Sequence, residues 1–494
     1  MNSSGIKPFP IGITNFKKVI ENYYFVDKSY FIAELLKRPS DITLCTRPRR
    51  FGKTLILSML KYFFTLEKAE ENRILFKDLA VAKTPCMERQ GTSPVILLSL
   101  KEITGETFDQ FLQIFSHKIS NLYRTYAYLL ESSILNEFDK AFYKKIYARE
   151  GTVADLEYSL TNLVYMLRIH HNRDVVVLID EYDSPAIHAW ENSFYKQCIL
   201  FMRPFLGECL KDNENIDFAV LTGVTRISKE IIFSGLNNFN VNSILSNEFS
   251  DVFGFTENDV CTIMEYTSLT KNIQEVKEWY DGYLFGKKEI YNPWSVMMYI
   301  RNDCIPQSYW LHTSGNAILT TLLHNLDTST RKEIEYLLNG DPIECKIDET
   351  LIFTDIGTSH DMLFSVLVFS GYLKVIQKIP YNQKWSCLVT IPNKEIRNVY
   401  ISEIINVFTK YGEKNVDILL NAMTEGDSIR FQSALQEILL SVVSYYDTAI
   451  DRREAFYHGL MLGLTLLLES TYSIESNRES GDGRFDIALV PKTK

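Results

Sequence analysis

The chain has 494 residues, 46% of them hydrophobic, and 52 Lys plus Arg against 62 Asp plus Glu give a formal net charge of −10. At roughly 100 to 200 residues per domain, this length predicts two to four domains. The apolar content excludes a disordered chain. The acidic balance argues against a protein that coats nucleic acid by bulk charge, although it leaves room for a local basic groove.

The N-terminus and the cysteines indicate a cytoplasmic protein. The first residues lack the apolar run of a secretory signal. The longest apolar stretch, about residues 459–468, is far shorter than the ~20 residues that span a bilayer. The eight cysteines show neither a CxxC pair nor zinc-ligand spacing, so we expect reduced thiols. We therefore expect no membrane association.

Four short apolar runs alternate with helical patterns in the first half of the chain. The runs are Ile42–Cys45, Pro94–Lys101, Asp174–Asp180 and Phe218–Gly223. Long helical patterns lie between them, for example over residues 108–129 and 153–169. This alternation predicts an α/β domain with a parallel sheet over about residues 1–250.

The rest of the sequence predicts two further domains. Residues 251–395 carry helical patterns separated by Gly, Asn and Pro turns, which favours an α-rich middle domain. Residues 396–494 combine amphipathic helices with a hairpin-like pair of strands. Three helices are predicted in this last domain, over residues 399–411, 429–443 and 453–468. The two strands are predicted over 471–477 and 485–490, with turn residues at 479–483.

The first apolar run leads into a basic turn and then a helical pattern. A nucleotide triphosphate needs converging backbone N–H groups, a lysine for phosphate oxygens and a hydroxyl for magnesium. Gly52, Lys53 and Thr54 supply all three. The standard pattern GxxxxGK[ST] has glycine where Arg47 stands, and the alternative interpretation is a basic helix N-terminus. The residues predicted to contact the nucleotide are Arg50, Phe51, Gly52, Lys53, Thr54 and Asp180.

The third run ends in two carboxylates, in the manner of a Walker B strand. Asp180 is predicted to hold magnesium through water, and Glu181 to orient or deprotonate the attacking water. The alternative is a solvated strand end or a helix cap. Asp183 and Pro185 are expected to shape the following loop.

The fourth run ends in a polar segment that is expected to lie next to the third strand. Thr222 is predicted to contact the γ-phosphate or the lytic water. Arg226 and Lys229 are candidates to stabilise charge, against the alternative of an exposed basic loop. The predicted catalytic set is therefore Glu181, Thr222 and Arg226. Tryptophans such as Trp294 are interpreted as core anchors.

Several motifs together resemble one family. They are Tyr24-Phe-Val-Asp-Lys28, Arg47-Pro-Arg-Arg-Phe-Gly-Lys-Thr54, Leu178-Ile-Asp-Glu-Tyr-Asp183, Leu221-Thr-Gly-Val-Thr-Arg226, Phe233-Ser-Gly-Leu-Asn-Asn238, Trp279-Tyr-Asp-Gly-Tyr283, Tyr291-Asn-Pro-Trp294 and Tyr309-Trp310. The chain resembles AAA-ATPase-like proteins that carry a C-terminal PD-(D/E)xK nuclease-superfamily domain. In that family the basic form of the loop is usual, so Arg47 does not argue against nucleotide binding.

The resemblance implies a P-loop NTPase parallel sheet flanked by helices. It also implies binding of ATP and Mg²⁺ at Lys53, Thr54, Asp180 and Glu181. The segment that holds Asp27 and Lys28 would lie near the nucleotide base.

The resemblance further implies a partial α/β PD-(D/E)xK-like domain over residues 396–494. Asp486 would stand at the metal-binding position, with Glu454 as an additional carboxylate. No E-x-K follows Asp486, and Lys492 has Val490 where the carboxylate should be. We therefore expect truncation or lost catalysis, and no nuclease activity. An unpaired strand edge would favour a partner strand or a homo-oligomer.

The main functional prediction is a Mg-dependent ATPase or ATP-driven switch coupled to the incomplete nuclease-like module. One alternative is an ATP-gated protein that acts on DNA in a defence or mobile-element context. The other is a scaffold that binds nucleotide without hydrolysing it.

Overall fold

The protein is described from a computed structural model. The structure describes residues 7–37, 40–226, 239–310, 328–349, 359–381, 384–409, 413–442, 471–480 and 483–492, with single positions between 461 and 468. None of the helices in these ranges is both long and apolar enough to cross a membrane.

A five-stranded parallel sheet forms the centre of the N-terminal half. Its strands are β1 (Ile42–Thr46), β2 (Val95–Ser99), β3 (Val175–Asp180), β4 (Ile216–Gly223) and β5 (Phe239–Asn242). The order is β2-β3-β4-β1-β5, so β4 separates the strand before the basic turn from the strand that ends in Asp180. The four predicted strands are confirmed. The sequence patterns do not predict β5, which is short and alternates apolar and polar residues.

Helices flank this sheet. They are α1 (Phe16–Asn22), α2 (Tyr30–Lys37), α3 (Lys53–Phe64), α4 (Ala69–Ile74), α5 (Phe108–Thr125), α6 (Glu137–Tyr147), α7 (Val153–Glu157), α8 (Ser159–His171), α9 (Ser184–Glu191) and α10 (Tyr195–Leu210). The helix predicted from residue 108 ends at Thr125. The pattern from residue 153 forms two helices, because the backbone of Tyr158 leaves helical geometry.

The region after β5 contains helices and small antiparallel sheets. The strands are β6 (Tyr283–Phe285), β7 (Lys288–Ile290), β8 (Ile343–Lys346), β9 (Lys374–Tyr381) and β10 (Lys384–Thr390). The helices are α11 (Glu257–Tyr266), α12 (Ile273–Tyr280), α13 (Pro293–Arg301), α14 (Thr328–Asn339) and α15 (His360–Ser370). The predicted helices are present, and a three-stranded sheet β8-β10-β9 accompanies them. The division of the chain at residues 250 and 395 stays a prediction.

The last part of the described chain is helical and then forms a hairpin. Its elements are α16 (Lys394–Thr409), α17 (Glu413–Glu425), α18 (Ser428–Val442), β11 (Tyr472–Ser480) and β12 (Gly483–Pro491). The antiparallel hairpin is confirmed, with Ser480 opposite Gly483. Most of the helix predicted over residues 453–468 lies outside the described residues.

Two hydrophobic cores matter for the site. The larger one runs from Phe16 through the parallel sheet and continues to Ile401. The second is built by α11, α12 and α13, and the N-terminal residues Phe9, Tyr24 and Val26 pack against it. The N-terminal segment therefore packs against the second core before the chain enters the sheet.

Candidate functional site

The turn between β1 and α3 contains two residues with positive φ. Gly52, directly before α3, has φ 82, and Arg50 has φ 70. Glycine adopts this conformation at little cost, whereas a residue with a side chain needs surrounding contacts to hold it there. The turn ends at Lys53, the first residue of α3. The predicted sequence of strand, turn and helix around Lys53 is confirmed.

Two threonine hydroxyls donate hydrogen bonds to the carboxylate of Asp180. The Thr54 Oγ1 atom lies 2.6 Å from Oδ2, and the Thr222 Oγ1 atom lies 2.7 Å from Oδ1. Asp180 and Thr222 are buried at the ends of neighbouring strands. The expectation that Thr222 lies beside the third strand is confirmed, and its hydroxyl orients Asp180.

The Lys53 side chain is buried, and its ammonium group donates to two carbonyl oxygens of its own turn. Nζ lies 2.9 Å from the carbonyl oxygen of Arg47 and 2.8 Å from that of Pro48. Burial lowers the pKa of Lys53, and the carboxylates of Glu181 and Asp180 oppose this shift. Anionic oxygens are stronger partners for an ammonium group than carbonyls. A phosphate can therefore replace the carbonyl partners.

A cavity of about 520 Å³ is lined by the turn and the start of α3. Five cations line it, namely Lys28, Arg49, Arg50, Lys53 and Lys101. Three carboxylates line it, namely Glu181, Asp183 and Glu191. An apolar wall is formed by Phe9, Pro10, Ile13, Tyr24, Val26, Phe255 and Met297. Excess positive charge beside an apolar wall suits a ligand that carries both phosphates and a ring system.

Glu181 and Asp183 differ in what surrounds their carboxyl groups. Burial raises the pKa of Glu181, and the ammonium of Lys53 opposes this. Burial also raises the pKa of Asp183, and here hydrogen bonds from Thr225 oppose the shift more than the charge of Lys53 does. The Oδ2 atom of Asp183 accepts hydrogen bonds from the backbone N–H groups of Val224 at 2.9 Å and Thr225 at 2.7 Å, and from the Thr225 hydroxyl at 2.9 Å. Asp183 therefore fixes the loop after β3 to the end of β4. Glu181 stays available to a ligand.

Arg47 stands where the standard pattern has glycine, and its side chain is fully buried. The guanidinium donates to the carbonyl oxygens of Thr46 at 2.8 Å, Asn242 at 2.7 Å and Phe249 at 3.1 Å. It also lies 5.3 Å from the ring centroid of Phe253 and 5.2 Å from that of Phe285. Arg47 therefore joins the turn to the chain after β5. The motif alone does not reveal this structural role.

Arg50 and Phe51 diverge in direction although they are neighbours. The Phe51 ring is buried and packs against Tyr283 and Phe285 at centroid distances of 4.9 and 5.2 Å. The Arg50 guanidinium instead lies over the ring of Trp294, 4.1 Å from its centroid. Trp294 packs against the second core, as the sequence interpretation expects, and it also lines the cavity.

Of the other predicted residues, the structure describes Arg226 and Asp486. Arg226 follows β4 and is not among the described residues that line the cavity. Lys229 and Glu454 lie outside the described residues. Asp486 lies on β12, and its metal-binding role with Glu454 stays a prediction.

Lys28 adds a charge of the N-terminal segment to the cavity, beside the apolar residues of the same segment. Lys28 lines the cavity and forms an ion pair with Asp259 at 2.6 Å. Asp27 is used structurally, because it accepts hydrogen bonds from the backbone of Ser29 at 2.8 Å and Ala80 at 2.7 Å. The placement of this segment near a base stays a prediction.

The parallel sheet, the glycine turn before Lys53 and the Thr54–Asp180 contact are features of the P-loop nucleotide-binding class. Residues 10–233 match the AAA-ATPase-like family model, described as a predicted AAA-ATPase. An uncharacterized protein in the vnfD 5′ region of Azotobacter chroococcum mcd 1 is 26% identical over an alignment of 506 residues, gaps included. The alignment covers 98% of this chain and 87% of that protein. The Aeropyrum pernix ORC1 protein in complex with DNA aligns with a TM-score of 0.22 and 10% identity, over 81% of this chain and 94% of that chain. A likeness at that level carries no functional argument.

Proposed function

We propose that the protein binds ATP with Mg²⁺ in the 520 Å³ cavity and hydrolyses it. The observation that carries the proposal is the contact of the Thr54 hydroxyl with Asp180, next to the buried Lys53. A hydroxyl and a carboxylate are the protein groups that magnesium needs beside phosphate oxygens and water. The match of residues 10–233 to the predicted AAA-ATPase model supports the same conclusion.

Each residue of the site has a separate role in this proposal. Lys53 exchanges its two carbonyl partners for phosphate oxygens, and Thr54 and Asp180 hold the metal ion. The metal, when bound, neutralises charge on the phosphates. Glu181 positions a water molecule and accepts its proton, because its carboxyl faces the cavity and has a raised pKa. Thr222 keeps Asp180 in place through its hydrogen bond.

The first test is ATP binding and hydrolysis by the full chain with magnesium. Lys53→Ala should weaken ATP binding at least about tenfold, since it removes a charge-assisted contact to phosphate. Glu181→Gln should keep ATP bound and lower turnover by about 100-fold or more, as expected for loss of a general base. Lys61→Ala, in the last turn of the same helix, is the matched control. Binding that survives Lys53→Ala at full strength would refute the proposal.

The same assay separates the alternatives. Stimulation by added DNA would favour ATP-gated action on nucleic acid. ATP binding without turnover, unchanged by Glu181→Gln, would favour a non-hydrolysing scaffold. The nuclease-like module and the partner strand of the C-terminal hairpin stay predictions.

A further inference from the structure

Arg50 lines the cavity beside Lys53, and its guanidinium has no hydrogen-bond acceptor among the described residues. It is half-buried and lies over the Trp294 ring, and the carboxylate of Glu181 attracts it electrostatically without accepting a hydrogen bond from it. Arg47 of the same turn differs, because its guanidinium donates to three backbone carbonyl oxygens. A half-buried guanidinium that is held in position without a protein acceptor has N–H groups available to donate to a ligand.

Trp294 is held in place independently of the turn. Asn292 caps α13 and accepts from the backbone N–H of Trp294 at 3.0 Å, and Pro293 occupies the first helical position. The indole Nε1–H donates to the carbonyl oxygen of Tyr309 at 3.3 Å. Because α13 belongs to the second core, the ring is a fixed surface that the turn meets.

We propose that Arg50 contacts the phosphate chain of the bound nucleotide and that Trp294 is its positioning residue. This inference rests on the proposed nucleotide binding. Stacking on the ring fixes the plane of the guanidinium and leaves its in-plane N–H groups free to donate to phosphate oxygens. A guanidinium that is already oriented loses less conformational freedom when the ligand binds. Arg50, rather than Arg226, then neutralises charge on the phosphates.

The competing roles of Trp294 are contact with the nucleotide base and simple packing. Inorganic tripolyphosphate separates them, since it carries phosphates but no base. The experiment measures the affinities of ATP and tripolyphosphate, both with magnesium, for the full chain by calorimetry. Arg50→Gln and Trp294→Leu should each weaken both ligands by about tenfold. Trp294→Phe keeps an aromatic face and should lose no more than about threefold.

Two further variants sharpen the test. The double variant Arg50→Gln with Trp294→Leu should bind no more weakly than Arg50→Gln, because Trp294 acts through Arg50. Arg124→Gln is the matched control, since Arg124 is exposed and lies 5.6 Å from the centroid of the Tyr147 ring on α6. Its affinities should equal those of the wild type. Thermal unfolding of each variant establishes that it is folded.

Different outcomes overturn different statements. Weaker ATP binding by Trp294→Leu with unchanged tripolyphosphate binding would assign Trp294 to the base and refute the inference. Losses of affinity that add up in the double variant would also refute it. So would a wild-type chain that binds ATP but does not bind tripolyphosphate. ATP binding that needs Lys53 but tolerates Arg50→Gln would refute the inference and leave the proposed function intact. A wild-type chain that binds neither ligand would overturn both.

Discussion

Arg47 is a buried charged residue, and among the described residues its guanidinium donates to three backbone carbonyls and to no carboxylate. Arg47→Met should destabilise the protein, because it leaves these carbonyls unsatisfied in the interior. Each carbonyl left without a donor typically costs about 1 to 3 kcal/mol of stability. Methionine, however, avoids the cost of burying a charged guanidinium, so we expect a net loss of about 3 kcal/mol in the free energy of unfolding. Thermal or urea unfolding measures it.

Arg47→Lys serves as the graded comparison for the same site. Lysine can donate to some of the carbonyls but lacks the planar group that lies between Phe253 and Phe285. Its stability should therefore fall between those of the wild type and Arg47→Met. If Arg47→Met proved as stable as the wild type, the guanidinium would not hold the turn to the chain after β5.

The residues of the basic turn show what the sequence could and could not predict. Lys53 and Thr54 were identifiable, because their chemistry depends on neighbours in the motif and on a helix that starts there. The sequence did not show that the side chains of Arg47, Arg50 and Phe51 point in different directions and have different roles. Their directions depend on partners such as Phe249, Trp294 and Tyr283, which lie about 200 or more residues away. No local pattern contains that information.

At the scale of elements, the sequence predicted four of the five strands of the parallel sheet and the pairing of β4 with β3, but not the rest of the strand order. Uninterrupted apolar runs show that a strand is buried on both faces. They do not show which strand lies beside it. The position of β4 between β1 and β3 places Thr222 against Asp180. The sequence did not predict β5, because its four residues are too few to show the alternation of a strand.

The contact between the loop after β3 and the end of β4 leaves no room for a side chain at Gly223. A Cβ atom there would lie 2.6 Å from Asp183 Oδ1 and 2.8 Å from Tyr182 Cε1. Asp183 cannot move away cheaply, because its carboxylate accepts three hydrogen bonds. Gly223→Ala should therefore cost about 1 to 3 kcal/mol through overpacking, measured by thermal unfolding.

A double-mutant cycle attributes this cost to its cause. Asp183→Ala is itself destabilising, but it removes the atoms that the new methyl group would meet. Gly223→Ala should then cost less in the Asp183→Ala background than in the wild type, with a coupling of about 1 kcal/mol. Simple additivity of the two losses would contradict the steric explanation.

At the scale of the whole molecule, the candidate site lies where two hydrophobic cores meet. Phe51 and Ile56 belong to the larger core, while Phe255 belongs to the second, and all three line the cavity. The second core also receives the N-terminal residues Phe9 and Tyr24. A ligand in the cavity would therefore contact both cores and stabilise their association, by an amount that grows with the logarithm of its concentration above the dissociation constant.

Glu395 connects these cores to the start of α16 and makes their association sensitive to pH. Its side chain is fully buried, and Oε1 accepts from the Ser295 hydroxyl at 2.9 Å and from the backbone N–H of Trp310 at 2.9 Å. Oε2 has no partner among the described residues. Burial raises the pKa of Glu395 to about 8, although the hydrogen bonds from Trp310 and Ser295 oppose the shift.

The raised pKa of Glu395 predicts a loss of stability as the pH rises. The folded state keeps the proton up to about pH 8, whereas the unfolded chain releases it near the ordinary value of 4.5. The contribution of the neutral carboxyl to stability is therefore complete below pH 4.5 and is lost as the pH rises through 8, at a rate on the order of 1 kcal/mol per pH unit.

Glu395→Gln keeps an acceptor for Ser295 and Trp310 but does not titrate. Urea unfolding at pH 6 and pH 8 should show a smaller difference for Glu395→Gln than for the wild type, while the exposed Glu265→Gln on α11 should match the wild type. An equal fall in stability for Glu395→Gln and the wild type would show that another group carries the pH dependence.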